Sequence, residues 1–166
     1  MSRWCYRLHA YERRVAVGVA KLRGTDRTSN RNRSADQSEQ ERLAIDIPAC
    51  IAEVASARML NLCWTGMAKQ QADVGGVIEV RAIRSPGHCL TARGGDADTS
   101  PGMLVYVDED YVCHALGWQM FGYVRKNGRR MVGGGTPYHL LAKEQLRAMD
   151  ELLPWVWVWQ SEQESA

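Results

Sequence analysis

The chain has 166 residues, 45% of them apolar and 24% charged, the composition of an ordinary globular protein long enough for one domain with a real core. No apolar run approaches the roughly 18–20 residues of a membrane span, and the opening Met1-Ser-Arg-Trp-Cys-Tyr-Arg7 lacks the apolar centre of a signal peptide, so a cytoplasmic location is expected. The net charge of +2 is unevenly spread: residues 1–35 hold nine Lys/Arg against Glu12 and Asp26, giving +7 and leaving −5 for the remainder.

In chain order, Leu8, Tyr11, Val15, Val19 and Leu22 recur at helical spacing and predict an amphipathic helix over 7–23, weakened at Gly18 by about 1 kcal/mol relative to Ala. Residues 24–40 offer almost nothing to bury and predict a mobile polar loop. The basic arm suggests a polyanionic partner, nucleic acid being the commonest; a solvated helix face followed by a loop fits the same residues. A second helix is expected after Pro48, with Ile51, Val54, Ala55, Met59 and Leu62 as its apolar stripe. Glu53 lies off the centre of that stripe beside Ala49, Ala52 and Ala57.

The period then changes from helix to strand. Residues 77–84 alternate, with Val77, Glu79, Arg81 and Ile83 on one face and Ile78, Val80, Ala82 and Arg84 on the other. Ser85-Pro-Gly87 predicts a turn, 88–93 and 103–107 further strands, 111–118 a fourth, and 117–128 a strand end passing into a short helical piece. A last short strand is expected at 138–141 and a closing helix at 143–153. In Pro154-Trp-Val-Trp-Val-Trp-Gln160 three tryptophans alternate with valine, which fits an added strand, a self-association or partner-docking surface, or an unusual terminus. The order predicts an α+β fold, an α/β sandwich with a mixed sheet. It divides into a basic helix and loop (1–43), an α/β domain (44–153) and a Trp-rich tail (154–166).

Chemistry concentrates on the central strand. Glu79 and Arg81 face one side, about 6.5–7 Å apart, and Asp73 precedes them by a Val74-Gly-Gly76 step that lets its carboxylate swing alongside. Two adjacent carboxylates repel unless a hard cation such as Mg²⁺ lies between them. Such an ion activates water and stabilises charge on a phosphate oxygen. Glu53 could supply a third carboxylate. Equally, Glu79 and Arg81 fit an exposed charge row worth at most about 1 kcal/mol, Asp73 a turn residue and Glu53 a solvated helix position.

Asp73-x5-Glu79-x-Arg81 with an upstream helical Glu53 resembles the PD-(D/E)XK nuclease superfamily, and the short gap resembles the nicking endonucleases of methyl-directed mismatch repair. The flanking Asp73-Val-Gly-Gly, Glu79-Val-Arg, Gly117-Trp118, Gly122 and Tyr138 look like small phage and environmental proteins. The resemblance covers roughly residues 44–147. It implies a restriction-endonuclease-like sheet flanked by helices and a DNA endonuclease using Mg²⁺ or Mn²⁺. Asp73, Glu79 and Glu53 would serve as metal ligands, and Arg81 would steady the scissile phosphate. Arg81 stands where the family usually has Lys, and a guanidinium keeps the charge but not the capacity to act as a base. No Pro precedes Asp73.

Arg125-Lys-Asn-Gly-Arg-Arg130 places four cations around an expected Asn-Gly turn; with Arg13 and Arg14 of the arm, Arg125, Lys126, Arg129 and Arg130 are the candidate contacts to DNA, or to RNA. A plain hairpin tip fits the same residues. Five scattered cysteines without a C-x-x-C pair predict reduced, mostly buried thiols. His88 reads as a surface residue, and Cys113-His114 should point to opposite faces of a strand, a poor catalytic pair. The zinc-deaminase signature is missing, and Gly133-Gly-Gly135 lacks the following Lys-Ser/Thr of a phosphate loop. Tyr106, Trp118, Phe121 and Tyr123 are expected in the core rather than as stacking platforms.

Overall fold

The computed structural model describes residues 3–25, 38–67, 71–133 and 136–164. The expected loop at 26–37, with Arg27, Arg31 and Arg33, lies outside the described residues, as do Gly134 and Gly135. The fold is α+β with a mixed sheet, as the sequence predicts. Among the described residues no helix is long and apolar enough to cross a membrane.

Strand β1 (Cys5–Arg7) leads into helix α1 (Ala10–Thr25) and then α2 (Glu39–Leu60). Strands β2 (Glu79–Ile83), β3 (Leu90–Arg93), β4 (Pro101–Val107) and β5 (Val112–Met120) precede the short helix α3 (Phe121–Asn127). Strands β6 (Arg129–Gly133) and β7 (Thr136–Leu141) and helix α4 (Leu152–Glu164) complete the chain. The main sheet has the order β1-β5-β4-β2, parallel only between β4 and β2; β3, β7 and β6 form a second, antiparallel sheet.

Residues alternate across the main sheet. Val80, Met103, Val105 and Val107 enter a core built with α2, α1 and α4, including Ala16, Ala20, Ile51, Leu152 and Val156. Ile83 and Leu104 face the other way, into a smaller core with Leu90, Phe121, Val124 and Leu141. The larger core therefore draws on all three expected segments, and α2 runs through the expected boundary at residue 43/44.

Helix α2 begins at Glu39, nine residues before Pro48, which lies inside it. The start is set by a capping box: Ser38 Oγ accepts from the Glu41 amide at 3.2 Å, and Glu41 accepts from the Ser38 amide at 2.8 Å. The Ser38-x-x-Glu41 spacing was a readable signal for that boundary. Helix α1 departs from its predicted stripe. Tyr11, Val15 and Leu22 are exposed, and the face against α2 carries Glu12, Ala16 and Ala20. Close helix packing at Ala16 and Ala20 favours small side chains there, while Glu12 is accommodated by its own hydrogen bonds. Glu12 is held by the His9 amide at 2.8 Å, Arg58 Nε at 2.6 Å and the Tyr6 hydroxyl.

Three further expectations are corrected. Strand β3 pairs with β7 and not within the main sheet. Residues 143–145 and 149–151 form 3-10 turns where a closing helix was expected. The Trp-rich segment is helical: Val156 is buried, Trp155 and Trp159 pack against the larger core, and Trp157 is 62% exposed.

Candidate functional site

The acidic residues gather at the free edge of β2, which is the outermost strand of the main sheet and not the central one expected. Between α2 and β2 the chain makes isolated bridges Trp64–Val74, Ala72–Gly76 and Val74–Ile78. Gly75 and Gly76 stand at φ 61° and 72°, a left-handed pair that folds the segment back on itself. The fold-back brings Asp73 Oδ2 to the Val80 amide at 2.8 Å, so the carboxylate satisfies a strand-edge donor.

Alternation sends Glu79 and Arg81 to the face of β2 shared with Ile83 and Phe121, and the Arg81 guanidinium lies 5.1 Å from the Phe121 ring centre. Arg81 donates to Glu79 at 3.2 Å and to Asp96 at 2.7 Å. Asp96 is itself fixed by the Arg93 amide at 2.7 Å. Glu53 comes from α2, on the opposite side of the sheet. Its side chain is only 5% exposed, which removes the solvated reading. Arg23, in the last turn of α1, grips it with both guanidinium nitrogens at 2.7 and 2.8 Å, and Trp64 Nε1 donates at 2.8 Å. Arg23 also donates to the Gly66 carbonyl.

The four carboxylates and two guanidiniums act on one another through little solvent. Burial, then the Glu53 charge, pushes the Asp73 carboxyl up to about 6, against the pull of the Val80 amide, Arg81 and Arg23. Burial and Asp73 likewise raise Glu79, while Arg81 opposes the rise. For Arg81, burial works against the charge, but Asp96, Glu79 and Asp73 outweigh it and raise the guanidinium. When all are ionised, Glu53, Asp73, Glu79 and Asp96 exceed Arg23 and Arg81 by two negative charges.

That excess and the hard oxygen donors fit a divalent cation in charge and chemistry. The side-chain placement is less open. Among the described residues no three His, Cys, Asp or Glu side chains are arranged to hold a metal ion. Arg23 occupies Glu53 and Arg81 occupies Glu79. Asp73 and Glu79 would be the first holders, and Glu53 would join only on leaving Arg23.

Arg23, Trp64 and Asp96 were not anticipated. Arg23 had a signal: with Glu12, Ala16 and Ala20 it continues one helix face at spacings of four, four and three, an internal face ending in charge. Asp96 carried none beyond its place in a glycine-rich loop.

The remaining candidates separate. Arg125 ion-pairs with Asp98 and donates to the Arg93 and Asp96 carbonyls, so it ties α3 to the 93–98 loop. The expected hairpin tip is instead the junction of α3 with β6, leaving Lys126, Arg129 and Arg130 exposed. Arg129 and Arg130 start an edge strand of the second sheet, where charge also guards against strand pairing. Arg13 and Arg14 are exposed on α1. Cys113 and His114 do point oppositely: Cys113 is buried near the Ile51 carbonyl, and His114 meets Asp108 at 3.2 Å. All five cysteines are free, but only Cys50 and Cys113 are buried, and burial pushes both thiols up to about 12. Trp118 and Phe121 are fully buried, whereas Tyr123 is 43% exposed. No family model, curated protein or solved structure matches this chain.

Proposed function

We propose that this chain is a metal-dependent phosphodiesterase acting on DNA, a restriction-endonuclease-like nuclease of the kind its motif resembles, working in the cytoplasm. The observation that carries the reading is the buried, doubly negative cluster at the edge of β2. Mg²⁺ or Mn²⁺ held by Asp73 and Glu79 would supply a water of lowered pKa and a Lewis acid. The chain's own groups have separate tasks. Arg81, fixed by Glu79 and Asp96, faces the developing phosphate charge and cannot take a proton. Glu53, reoriented from Arg23, would complete the acidic set.

A second reading has its own support. The Arg23 fork on Glu53 and the lack of a three-ligand group among the described residues favour a nucleic-acid-binding protein without turnover. The exposed Trp157 and Val158 of α4 would suit a protein partner or a second copy. Incubation of supercoiled plasmid with Mg²⁺ or Mn²⁺ decides: nicking that falls at least about 100-fold in Asp73→Asn and Glu79→Gln supports the nuclease. Undiminished plasmid with retained binding supports the second reading.

A further inference from the structure

A groove of about 540 Å³ lies where α1 flanks α2, lined by Arg13, Arg14 and Lys21 on α1, Ile47 and the buried Ile51 on α2, and Tyr111 just before β5. None of its lining side chains is acidic. The three cations are exposed and, like Lys126, Arg129 and Arg130, have no ion-pair partner among the described residues; here they share one groove. Arg13 and Lys21 are eight residues apart, about 12 Å along the helix axis, the length of roughly three nucleotides at the ~3.4 Å rise of a stacked strand.

Tyr111 is an independent observation. It holds φ 59°, a left-handed conformation that a bulky side chain rarely adopts. Its amide donates to the Asp108 carbonyl at 3.2 Å, and the Arg84 guanidinium lies 5.7 Å from its ring centre. Tyr111 is half-buried against the larger core, and the rest of its surface lines the groove. Glu109 and Asp110 are exposed just before it and set a negative limit to that end.

We infer that this groove binds a single nucleic-acid strand, its phosphates along Arg13, Arg14 and Lys21 and one base against Tyr111. Cations tracking the backbone beside an aromatic ring are what sequence-tolerant strand binding requires. The inference rests on the nuclease reading and extends it to its substrate, because the α1–α2 pair that lines the groove also joins Arg23 to Glu53.

The test is fluorescence anisotropy of the full chain with a fluorescein-labelled 20-nucleotide oligothymidylate in chelator, so that binding is read apart from cleavage. Three phosphate contacts predict a log–log salt slope of about −2. Arg13→Ala/Arg14→Ala/Lys21→Ala should abolish that slope and weaken binding roughly 100-fold at low salt. Tyr111→Asn, which keeps a residue at ease in the left-handed region, should cost roughly ten-fold with the slope unchanged. Lys143→Ala, an exposed cation outside the groove lining, should change neither; Arg129→Ala/Arg130→Ala probes the rival patch at β6, and circular dichroism should show every variant folded. The groove is refuted by no binding at low salt, by wild-type binding in the triple variant or in Tyr111→Asn, or by loss that follows Arg129 and Arg130. Capture of phosphatidylserine vesicles equal to that of the oligonucleotide refutes it as well. Binding without cleavage would count against the nuclease reading alone, and cleavage indifferent to the groove against the groove alone.

Discussion

Arg23 and Glu53 form a two-pronged ion pair at 2.7 and 2.8 Å that joins the end of α1 to the middle of α2. Glu53 is almost wholly buried, so Arg23 is its countercharge, not an ornament on the surface. The pair makes the N-terminal helix part of the acidic site that the motif alone would confine to α2 and β2.

Removing one partner leaves a buried carboxylate uncompensated. Arg23→Ala is expected to cost about 3 kcal/mol, a drop of roughly 9 °C in Tm. Arg23→Ala/Glu53→Gln should recover part of that loss. Thermal unfolding followed by circular dichroism measures both, and equal melting of Arg23→Ala and the parent would show that the pair contributes nothing.

Asp73 sets a pH dependence. Its carboxyl is raised from the ordinary 3.8 to about 6, so between those values the folded chain holds a proton that the unfolded chain releases. The Asp73 contribution to stability is therefore fully present below the unfolded value and is lost as pH rises through that window, by an amount on the order of 3 kcal/mol. Asp73→Asn keeps an oxygen for the Val80 amide and should flatten the fall, making the variant more stable than the parent at pH 7. Urea midpoints at pH 4.5 and pH 7 measure it. Mg²⁺ should also raise the parent's Tm more at pH 7 than at pH 5, because protons and the cation compete for the same oxygens.

The capping box at the start of α2 is a separate handle. Ser38→Ala should cost about 1 kcal/mol, roughly 3 °C, through the lost bond to the Glu41 amide. Ser38→Asp should retain most of the stability, since it caps equally well. Differential scanning calorimetry resolves the two.

Gly117 has φ 146° beside the irregularity where Leu104 pairs with Gly117 and Val105 with Ala115. A Cβ there would lie 2.7 Å from Leu146 Cβ and 2.9 Å from the Arg147 carbonyl oxygen. Gly117→Ala is expected to cost about 3 kcal/mol and to loosen the pairing of Trp118 with Arg147. Hydrogen exchange at the Arg147 amide, bonded to Trp118 at 2.9 Å, should quicken accordingly.

Local pattern was enough wherever the pattern itself chose a face. The alternation over 77–84 identified β2 and put Glu79 and Arg81 on one side, because a strand cannot present neighbouring residues to the same face. The strand runs expected at 103–107 and 111–118 and the helix–strand order were legible for the same reason, and they suffice for an α+β fold with a mixed sheet. The Gly75-Gly76 step likewise signalled the turn that carries Asp73 back to Val80.

Tertiary structure decided what the pattern left symmetric. Trp-Val alternation in the tail gives no preferred face, and only packing into the larger core selects Val156 as the inward residue of a helix. On α1 the large apolar residues lost to Ala16 and Ala20, because the close approach of α2 favours small side chains there. The pairing of Arg23 with Glu53, and of Arg81 with Asp96, joins residues 30 and 15 positions apart. A charge finds its counter-ion by position in space once water has been excluded, and that position exists only after the helices and the sheet have met.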